Sequence, residues 1–208
     1  MNLLLYLSLL QGIAALPTTR SDPTPGFTFD SVISSGGACP NGSVSTLVKN
    51  NNVSTGIFRI IHTLDAFSPW IQSDGTTKED CKLTTNIGVP VGYRARANID
   101  GIVVKGYLKI QDAETSVRFS GQYSFTSDPS VVSETSLVIK GPLDGRFTKI
   151  VEAQGRTALS SCTGDNFRTE YSISAINFGS GHTQYSGVQG STEDLKWVID
   201  SKIEILKC

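Results

Sequence analysis

The sequence predicts an all-β protein, an antiparallel β-sandwich of two packed sheets that is Ig-like or jelly-roll-like and stapled by disulfides. Three observations support this fold class. Several segments alternate apolar and polar residues with period two, four cysteines follow an apparent export signal, and no long helical pattern occurs. We find no linker, repeat or low-complexity tract after the N-terminal region, and the length suits one large β domain.

The longest alternating segment runs from Cys81 to Ile110. Apolar or small residues occupy most positions of one parity up to Ile99, and polar residues with Gly88, Pro90 and Gly92 occupy the other. This pattern is typical of strands with one buried and one solvated face. Pro90 and Gly92 are expected to bend the chain, giving two strands in one phase. Residues 58–66, 117–125 and 195–205 carry similar alternation.

The dipeptide Asp100-Gly101 predicts a two-residue hairpin turn within that segment. With these residues as the loop, Ile99 would face Ile102 and Ala97 would face Val104. The register is set by the turn alone, and it pairs apolar with apolar residues, which supports the hairpin.

The first residues, MNLLLYLSLLQGIAA, have a short apolar core followed by small residues. They predict a secretory signal peptide at 1–15, too short for a membrane span. Residues 16–26, rich in Pro, Thr and Ser, are expected to form a flexible arm, and 27–208 to form a single β-sandwich domain. We therefore expect a secreted, extracellular protein without a membrane span, with cell-wall association left open.

The net charge of −1 and the pI near 6.1 give no reason to expect nucleic acid or an acidic membrane surface as partner. Four cysteines allow three pairings, and their order along the chain favours Cys39–Cys81 and Cys162–Cys208. In the chain-entropy model each such loop stabilises the fold by about 3–4 kcal/mol. No C-x-x-C pair occurs and the chain has 2 His, so we expect neither a metal site nor a cofactor.

Two N-glycosylation sequons begin at Asn41 and Asn52. In an exported protein both should lie on exposed loops.

Several segments together indicate a family: GGACPNGSVS around Cys39, EDCKLTTNIGVPVGYRARANIDGIVVKGYLKI, IKGPLDGRFT, and the later SSC and KC. They resemble the secreted fungal and actinobacterial proteins grouped as domain-of-unknown-function family 4360. The resemblance covers 27–208, although IEILKC departs from the aromatic-basic segment usual before the last cysteine. It implies a secreted, disulfide-stapled β-sandwich, and it supplies no activity or catalytic residue.

No catalytic motif stands out, so the sequence leans against an enzyme without deciding the matter. His62 lies on the apolar parity of its strand, which favours a hydrogen-bonded core or boundary histidine. His182, in a glycine-rich loop, is the place to look for a hydrolase site. Glu79 and Asp80 are adjacent in a strand and point to opposite faces, so they cannot act together on one glycosidic bond. Pairs drawn from the distant carboxylates Asp65, Asp112, Glu114 and Glu134 are unsupported by any pattern.

Binding has two candidate sites. In the predicted hairpin, Arg94 lies opposite Tyr107 and Arg96 opposite Lys105, which makes a basic patch suited to an anionic partner. An ordinary solvated β face is the alternative that the pattern favours. Trp70, in a loop bounded by Pro and Gly, could stack on a sugar or anchor a protein, although packing over the end of the sandwich is the simpler interpretation.

The sequence thus predicts a secreted non-catalytic β-sandwich that binds an extracellular glycan or protein, with an effector role plausible if the source is a host-associated fungus. The alternatives are a secreted hydrolase with its site near His182 and a cell-surface structural protein. The ligand, the source and the oligomeric state cannot be read from the sequence.

Overall fold

The computed structural model describes residues 28–52, 56–65, 67, 80–110, 113–177 and 196–208. These residues form two antiparallel sheets, one with the strand order β1-β4-β10-β6-β7-β9 and one with the order β2-β3-β11-β5-β8. The strands are β1 (Thr28–Ser35), β2 (Val44–Asn52), β3 (Ile57–Leu64), β4 (Asp80–Val89), β5 (Tyr93–Ile110), β6 (Thr115–Phe125), β7 (Asp128–Lys140), β8 (Leu143–Val151), β9 (Gln154–Gly155), β10 (Asp165–Asn177) and β11 (Trp197–Lys207).

The inner faces of the two sheets share one apolar core, which confirms the predicted sandwich. Trp197 of β11 is 1% exposed, and its ring packs 4.7 Å from Phe67 and 4.9 Å from Phe147 between ring centroids. Its indole N–H donates to the carbonyl of Tyr107 at 3.1 Å, so its polar atom is satisfied inside the core. Tyr123 of β6 and Tyr171 of β10 are large buried rings on the inner face of the other sheet.

The chain bends between Val89 and Tyr93 as predicted, and Gly92 there has a φ of +84°. Buried and accessible residues alternate along β4 up to this bend and resume in the same phase at Ala95 and Ala97. The two strands in one phase belong to different sheets, because β4 lies in the six-stranded sheet and β5 in the five-stranded one.

The prediction of a hairpin at Asp100-Gly101 is wrong. β5 continues from Tyr93 to Ile110 without turning back, and both of its halves pair with β11. Ser201 of β11 pairs with Ile102 of β5, and Ile203, two residues later, pairs with Ala97, five residues earlier in β5. The additional residues of β5 between Ala97 and Ile102 form a bulge.

The bulge explains why alternation misled the prediction. Before the bulge the odd-numbered residues of β5 face the core, and after it the even-numbered residues do. A two-residue turn would cause the same change, and so does a bulge with an odd number of additional residues. Ala97 and Ile102 therefore face the core in either structure, and both are buried. Gly101 is required here because its φ is +71° and a Cβ would lie 2.0 Å from the carbonyl oxygen of Val151.

The bulge also connects the two sheets. Asn98 has a φ of +55° and a side chain that is 2% exposed. Its amide donates to the Ser133 hydroxyl at 2.9 Å and to the Glu134 carbonyl at 3.3 Å, both in β7 of the opposite sheet.

The cysteines pair as Cys39–Cys81 and Cys162–Cys208, the arrangement that their order favours. The first bond joins the connection after β1 to the start of β4. The second joins the segment before β10 to the last residue of the sequence, where the Cys208 amide also donates to the carbonyl of Gly92 at 3.0 Å. Each disulfide therefore fastens one half of the sequence.

Two strand glycines provide a test of the packing around Trp197. A Cβ on Gly106 would lie 2.6 Å from the Trp197 ring, whereas a Cβ on Gly145 would meet nothing within 4 Å. We expect Gly106→Ala to lower the free energy of unfolding by about 1–3 kcal/mol because Trp197 must move. Gly145→Ala should be neutral or stabilising by up to about 1 kcal/mol. Urea unfolding midpoints measure both, and equal effects would contradict the packing described.

Candidate functional site

A row of four serines and one lysine crosses the outer face of the six-stranded sheet. The strand register places one residue from each of five neighbouring strands side by side: Ser35, Lys82, Ser172, Ser120 and Ser136. All five are accessible, because the residues before and after each one in its strand face inward or lie at the margin of the core. At about 4.8 Å between strands, this serine row is roughly 19 Å long.

Longer side chains stand beside the serine row and form one wall. The adjacent cross-strand row consists of Ile33, Thr84, Glu170, Gln122 and Glu134. The difference in side-chain length leaves a groove of about 330 Å³, which we call the serine groove. It is lined by Ser35, Lys82, Thr84, Ser120, Gln122, Glu170, Tyr171 and Ser172.

The wall of the serine groove is held by polar contacts within the sheet. The Gln122 amide donates to the Glu134 carboxylate at 3.2 Å, and Glu170 forms an ion pair with Arg168 of its own strand. Lys82 and Glu170 are the charged residues of the lining, and their charges are opposite. The groove therefore offers hydroxyls, an amide, one cation and one anion, without an excess of either charge.

The outer face of the five-stranded sheet is different, because ion pairs connect its strands. The pairs are Arg59–Asp200, Arg96–Glu204 at 2.5 Å, Lys202–Asp100 at 2.7 Å, Lys196–Asp65 at 2.8 Å and Lys109–Asp144 at 3.9 Å. Most of these side chains are partly exposed, so each pair contributes little to stability, about 0–1 kcal/mol.

A second groove, of about 320 Å³, lies on that face across β3, β11, β5 and β8. We call it the basic groove, because three cations and no carboxylate are among its lining residues. These are Thr63, Lys105, Gly106, Arg146, Phe147, Thr148, Lys196 and Val198.

The basic patch predicted from the hairpin does not form. Arg96 lies opposite Glu204 of β11, and Arg94 lies opposite Leu206, whereas Lys105 lies opposite Val198 on one side and Thr148 on the other. Because β5 is continuous, Arg96 and Lys105 are separated along one strand by up to roughly 30 Å. Tyr107 lies opposite Arg146, and its hydroxyl donates to Asp144. Lys105 and Tyr107 are thus near or in the basic groove, and Arg94 and Arg96 are elsewhere.

Other predicted residues fall on parts of the chain without a described conformation. Trp70, His182 and Asp112 lie outside the described residues, as do the signal peptide, the arm and the side chain of Asn52. Asn41 is exposed in a turn, as its sequon requires, but its modification stays a prediction.

The carboxylates considered for catalysis are not gathered at one place. Asp65 pairs with Lys196 in the five-stranded sheet, and Glu134 accepts from Gln122 in the six-stranded sheet. Glu114, exposed, lies just before β6. Within the described ranges, no cluster of three or more His, Cys, Asp or Glu residues is placed to hold a metal ion.

His62 is a core histidine, as its position in the alternation predicted. It is fully buried, its Nδ1 lies 2.8 Å from the Thr46 hydroxyl, and its Nε2 lies 3.4 Å from that of Thr85 in the opposite sheet. Tyr171 approaches it edge-on at 5.6 Å between ring centroids. Burial lowers the pKa of His62 to about 4, so the ring is neutral and has no access to a substrate.

Asp165 organises the loop beside the second disulfide. Burial alone would raise its pKa, but hydrogen bonds from Ser127, Ser161 and Thr126 outweigh that effect and lower the pKa overall. The Ser161 amide donates at 3.0 Å and the Thr126 hydroxyl at 2.8 Å. This carboxylate is occupied by the protein's own donors, so its role is structural.

Comparison with known proteins identifies the family. Residues 25–208 match the model of a domain of unknown function, DUF4360. The chain belongs to this family. No curated protein matches the sequence. In the part of the chain that the structure describes, no helix has the length and apolar character needed to cross a membrane.

Solved structures with a similar fold have low identity to this chain. Carbohydrate-binding modules of the β-sandwich superfamily are 12% identical with a TM-score of 0.27, over 88% of this chain and 58% of theirs. TmCBM27, a carbohydrate-binding module that recognises mannan, is 9% identical with a TM-score of 0.24, over 88% and 99%. An immunostimulatory antigen and pseudo β-1,3-glucanase of Mycobacterium tuberculosis is 8% identical with a TM-score of 0.23, over 90% and 92%.

Sequence reasoning named Lys105 of the basic groove but missed the residues of the serine groove. In the sequence, Ser120 and Gln122 are polar positions of one alternating strand, and Ser172 is a polar position of another. The available signal for the serine groove was that these polar side chains are short or uncharged, whereas the polar side chains of 94–109 include four cations. Their juxtaposition depends on strand order, which alternation does not reveal.

The neutral buried state of His62 predicts a loss of stability in weak acid. Its pKa is about 4 when folded and 6.5 in a model peptide, so the unfolded chain binds the additional proton between these values. Stability is full above about pH 6.5 and should fall by about 3 kcal/mol as the pH decreases to 4.

Urea unfolding of the protein and of His62→Gln between pH 7 and pH 4 measures this loss. The glutamine can hydrogen-bond to Thr46 without titrating, so the decrease should be much smaller in the variant. Asp165, whose pKa is lowered from 3.8, adds its own loss only below that pH. An undiminished decrease in His62→Gln would show that another group is responsible.

Proposed function

We propose that this protein is an extracellular, non-catalytic binding protein that holds an uncharged, hydroxyl-rich glycan in the serine groove. The observation that supports this function most is the mixed polar lining of the groove. Serine and threonine hydroxyls both donate and accept hydrogen bonds, Gln122 does both through its amide, Lys82 donates and Glu170 accepts. Sugar hydroxyls likewise donate and accept, whereas an anion needs mainly donors and a cation mainly acceptors.

The shape of the groove favours an extended ligand. The serine row crosses five strands, about 19 Å, and its four serines let a chain lie close to the sheet on either side of Lys82. A protein partner is less well suited to this surface. The centres of protein interfaces are enriched in aromatic residues, Met and Arg, and the floor here is serine. The exposed apolar residues of this face, Ile33 and Val138, lie to either side of the serine row.

The predicted location supports the same function. The signal peptide at 1–15 and the two disulfides are typical of exported proteins, which meet glycans outside the cell. Secretion stays a prediction that rests on the sequence. The hydrolase alternative centred on His182 falls outside the described residues, and no described contact favours it.

The affinity should be low. Each net hydrogen bond to a sugar contributes about 1 kcal/mol, because the groups bond to water when free. Four to six such bonds would give a dissociation constant on the order of 0.05–1 mM. Among the described lining residues the one aromatic is Tyr171, at 2% exposure, so it offers no stacking surface. Trp70 precedes β4 in the chain, and stacking on it stays a prediction that Trp70→Ala tests.

Filling the floor of the groove tests the proposal. Ser120→Gln places a longer neutral side chain on the serine row and should weaken retention of a neutral polysaccharide in affinity gel electrophoresis at least tenfold. Ser45→Gln is the matched control, because Ser45 is an exposed strand residue opposite Thr63 on the other sheet. A panel of soluble glucans, mannans and chitin oligosaccharides would serve as ligands.

Removing the amide of Gln122 is the complementary change. Gln122→Ala should weaken the same retention about fivefold, the effect of one lost hydrogen bond. The site is wrong if retention survives Ser120→Gln or falls equally in Ser45→Gln. New reducing ends in the same incubations would instead indicate a hydrolase.

A further inference from the structure

The cations of the five-stranded sheet's outer face are mostly neutralised by carboxylates on neighbouring strands. Arg59, Arg96 and Lys202 each have a carboxylate partner in an ion pair between β11 and its neighbours. Lys105 differs from them. It is exposed, and among the described residues no carboxylate lies within ion-pair distance of it.

The surroundings of Lys105 supply hydrogen-bond donors. The strand register places it between Val198 and Thr148, and Thr63 follows Val198 in the same cross-strand row. Arg146 of β8 and Lys196, just before β11, complete the basic groove. Three cations therefore come from three adjacent strands, at about 4.8 Å per strand, toward one groove of about 320 Å³.

We infer that the basic groove binds a single carboxylate or sulfate group carried by an acidic glycan, with Lys105 as its principal contact. Lys196 of the lining is paired with Asp65, whereas Lys105 is exposed beside the hydroxyls of Thr63 and Thr148, and no carboxylate is among the lining residues. Lys105 and these hydroxyls therefore complement a single anionic group. This site is separate from the serine groove, which lies on the other sheet, and does not depend on the function proposed there.

The neighbouring carboxylates limit the size of the anion. Asp65 pairs with Lys196 on one side of the groove, and Asp144 contacts Tyr107 and Lys109 on the other. A continuous polyanion such as nucleic acid would extend beyond the groove and be repelled by one of these carboxylates, one or two strands away. An isolated anionic substituent on an otherwise neutral sugar chain avoids both, and the protein's net charge of −1 offers no wider attraction for a polyanion.

The test uses a neutral sugar chain with one carboxylate, and the same chain with that carboxylate neutralised as its methyl ester. Calorimetric titration with glucuronoxylotriose, a xylotriose that bears a single glucuronate, should show binding that weakens as salt rises from 50 to 500 mM, while its methyl ester should not bind. A monosulfated trisaccharide distinguishes sulfate from carboxylate, and a short single-stranded DNA represents the polyanion.

Variants locate the site. Lys105→Gln should weaken binding of glucuronoxylotriose about 5- to 10-fold, and Lys105→Arg should retain it within about threefold, since a partly exposed charge-assisted hydrogen bond is lost in the first and kept in the second. Lys49→Gln is the matched control, because Lys49 is an exposed lysine of the same outer face, opposite Arg59 and outside the groove. It should change affinity less than twofold.

Three results would overturn the inference: equal binding of the methyl ester, an equal loss in Lys49→Gln, or binding of the DNA as tight as that of glucuronoxylotriose. Ser120→Gln should leave this binding unchanged. Failure of the basic groove and failure of the serine groove are therefore distinguishable in the same set of variants.

Discussion

The whole structure depends on the burial of one face of each sheet against the other. Trp197, Tyr171 and His62 are inside that shared core, and the alternation of every long strand is arranged around it. Burying each large apolar side chain stabilises the fold by about 1.5–3 kcal/mol, so the inner faces cannot be used for binding without loss of the fold. Any ligand must therefore be held by the outer faces, the ends of the sandwich or its loops.

The two outer faces have different chemistry. On the six-stranded sheet, serine rows and amides leave a groove with balanced charge, which suits a ligand that both donates and accepts hydrogen bonds. On the five-stranded sheet, long charged side chains pair across neighbouring strands, and Lys105 lies in a groove without a carboxylate among its lining residues. The site proposed for a neutral glycan and the site proposed for an anionic substituent therefore lie on opposite outer faces of the sandwich.

Sequence reasoning succeeded where the physical signal is local. Alternation identified the inward residues of β4 and β5, and it identified His62 as a core residue. It failed at Asp100-Gly101, where a bulge and a turn produce the same change of parity. The error carried into the basic patch, because Arg96 and Lys105 were paired through a turn that does not exist.

The serine groove could not have been predicted in the same way. Ser35, Ser120 and Ser172 are far apart in the chain and meet because β1, β4, β10 and β6 are neighbours in that order. The strand order depends on which segments of the chain join which sheet, and the alternation within a strand does not contain that information. The bend at Gly92 illustrates this, since two strands in one phase belong to different sheets.

The most direct test of the central claim is chemical-shift mapping of the isotope-labelled protein during titration with neutral oligosaccharides. If the outer face of the six-stranded sheet is the binding face, the perturbed amides should cluster around Thr84, Ser120 and Glu170 and leave β5 unchanged. Perturbations confined to residues 66–79 or 178–195, or to the five-stranded sheet, would contradict the account.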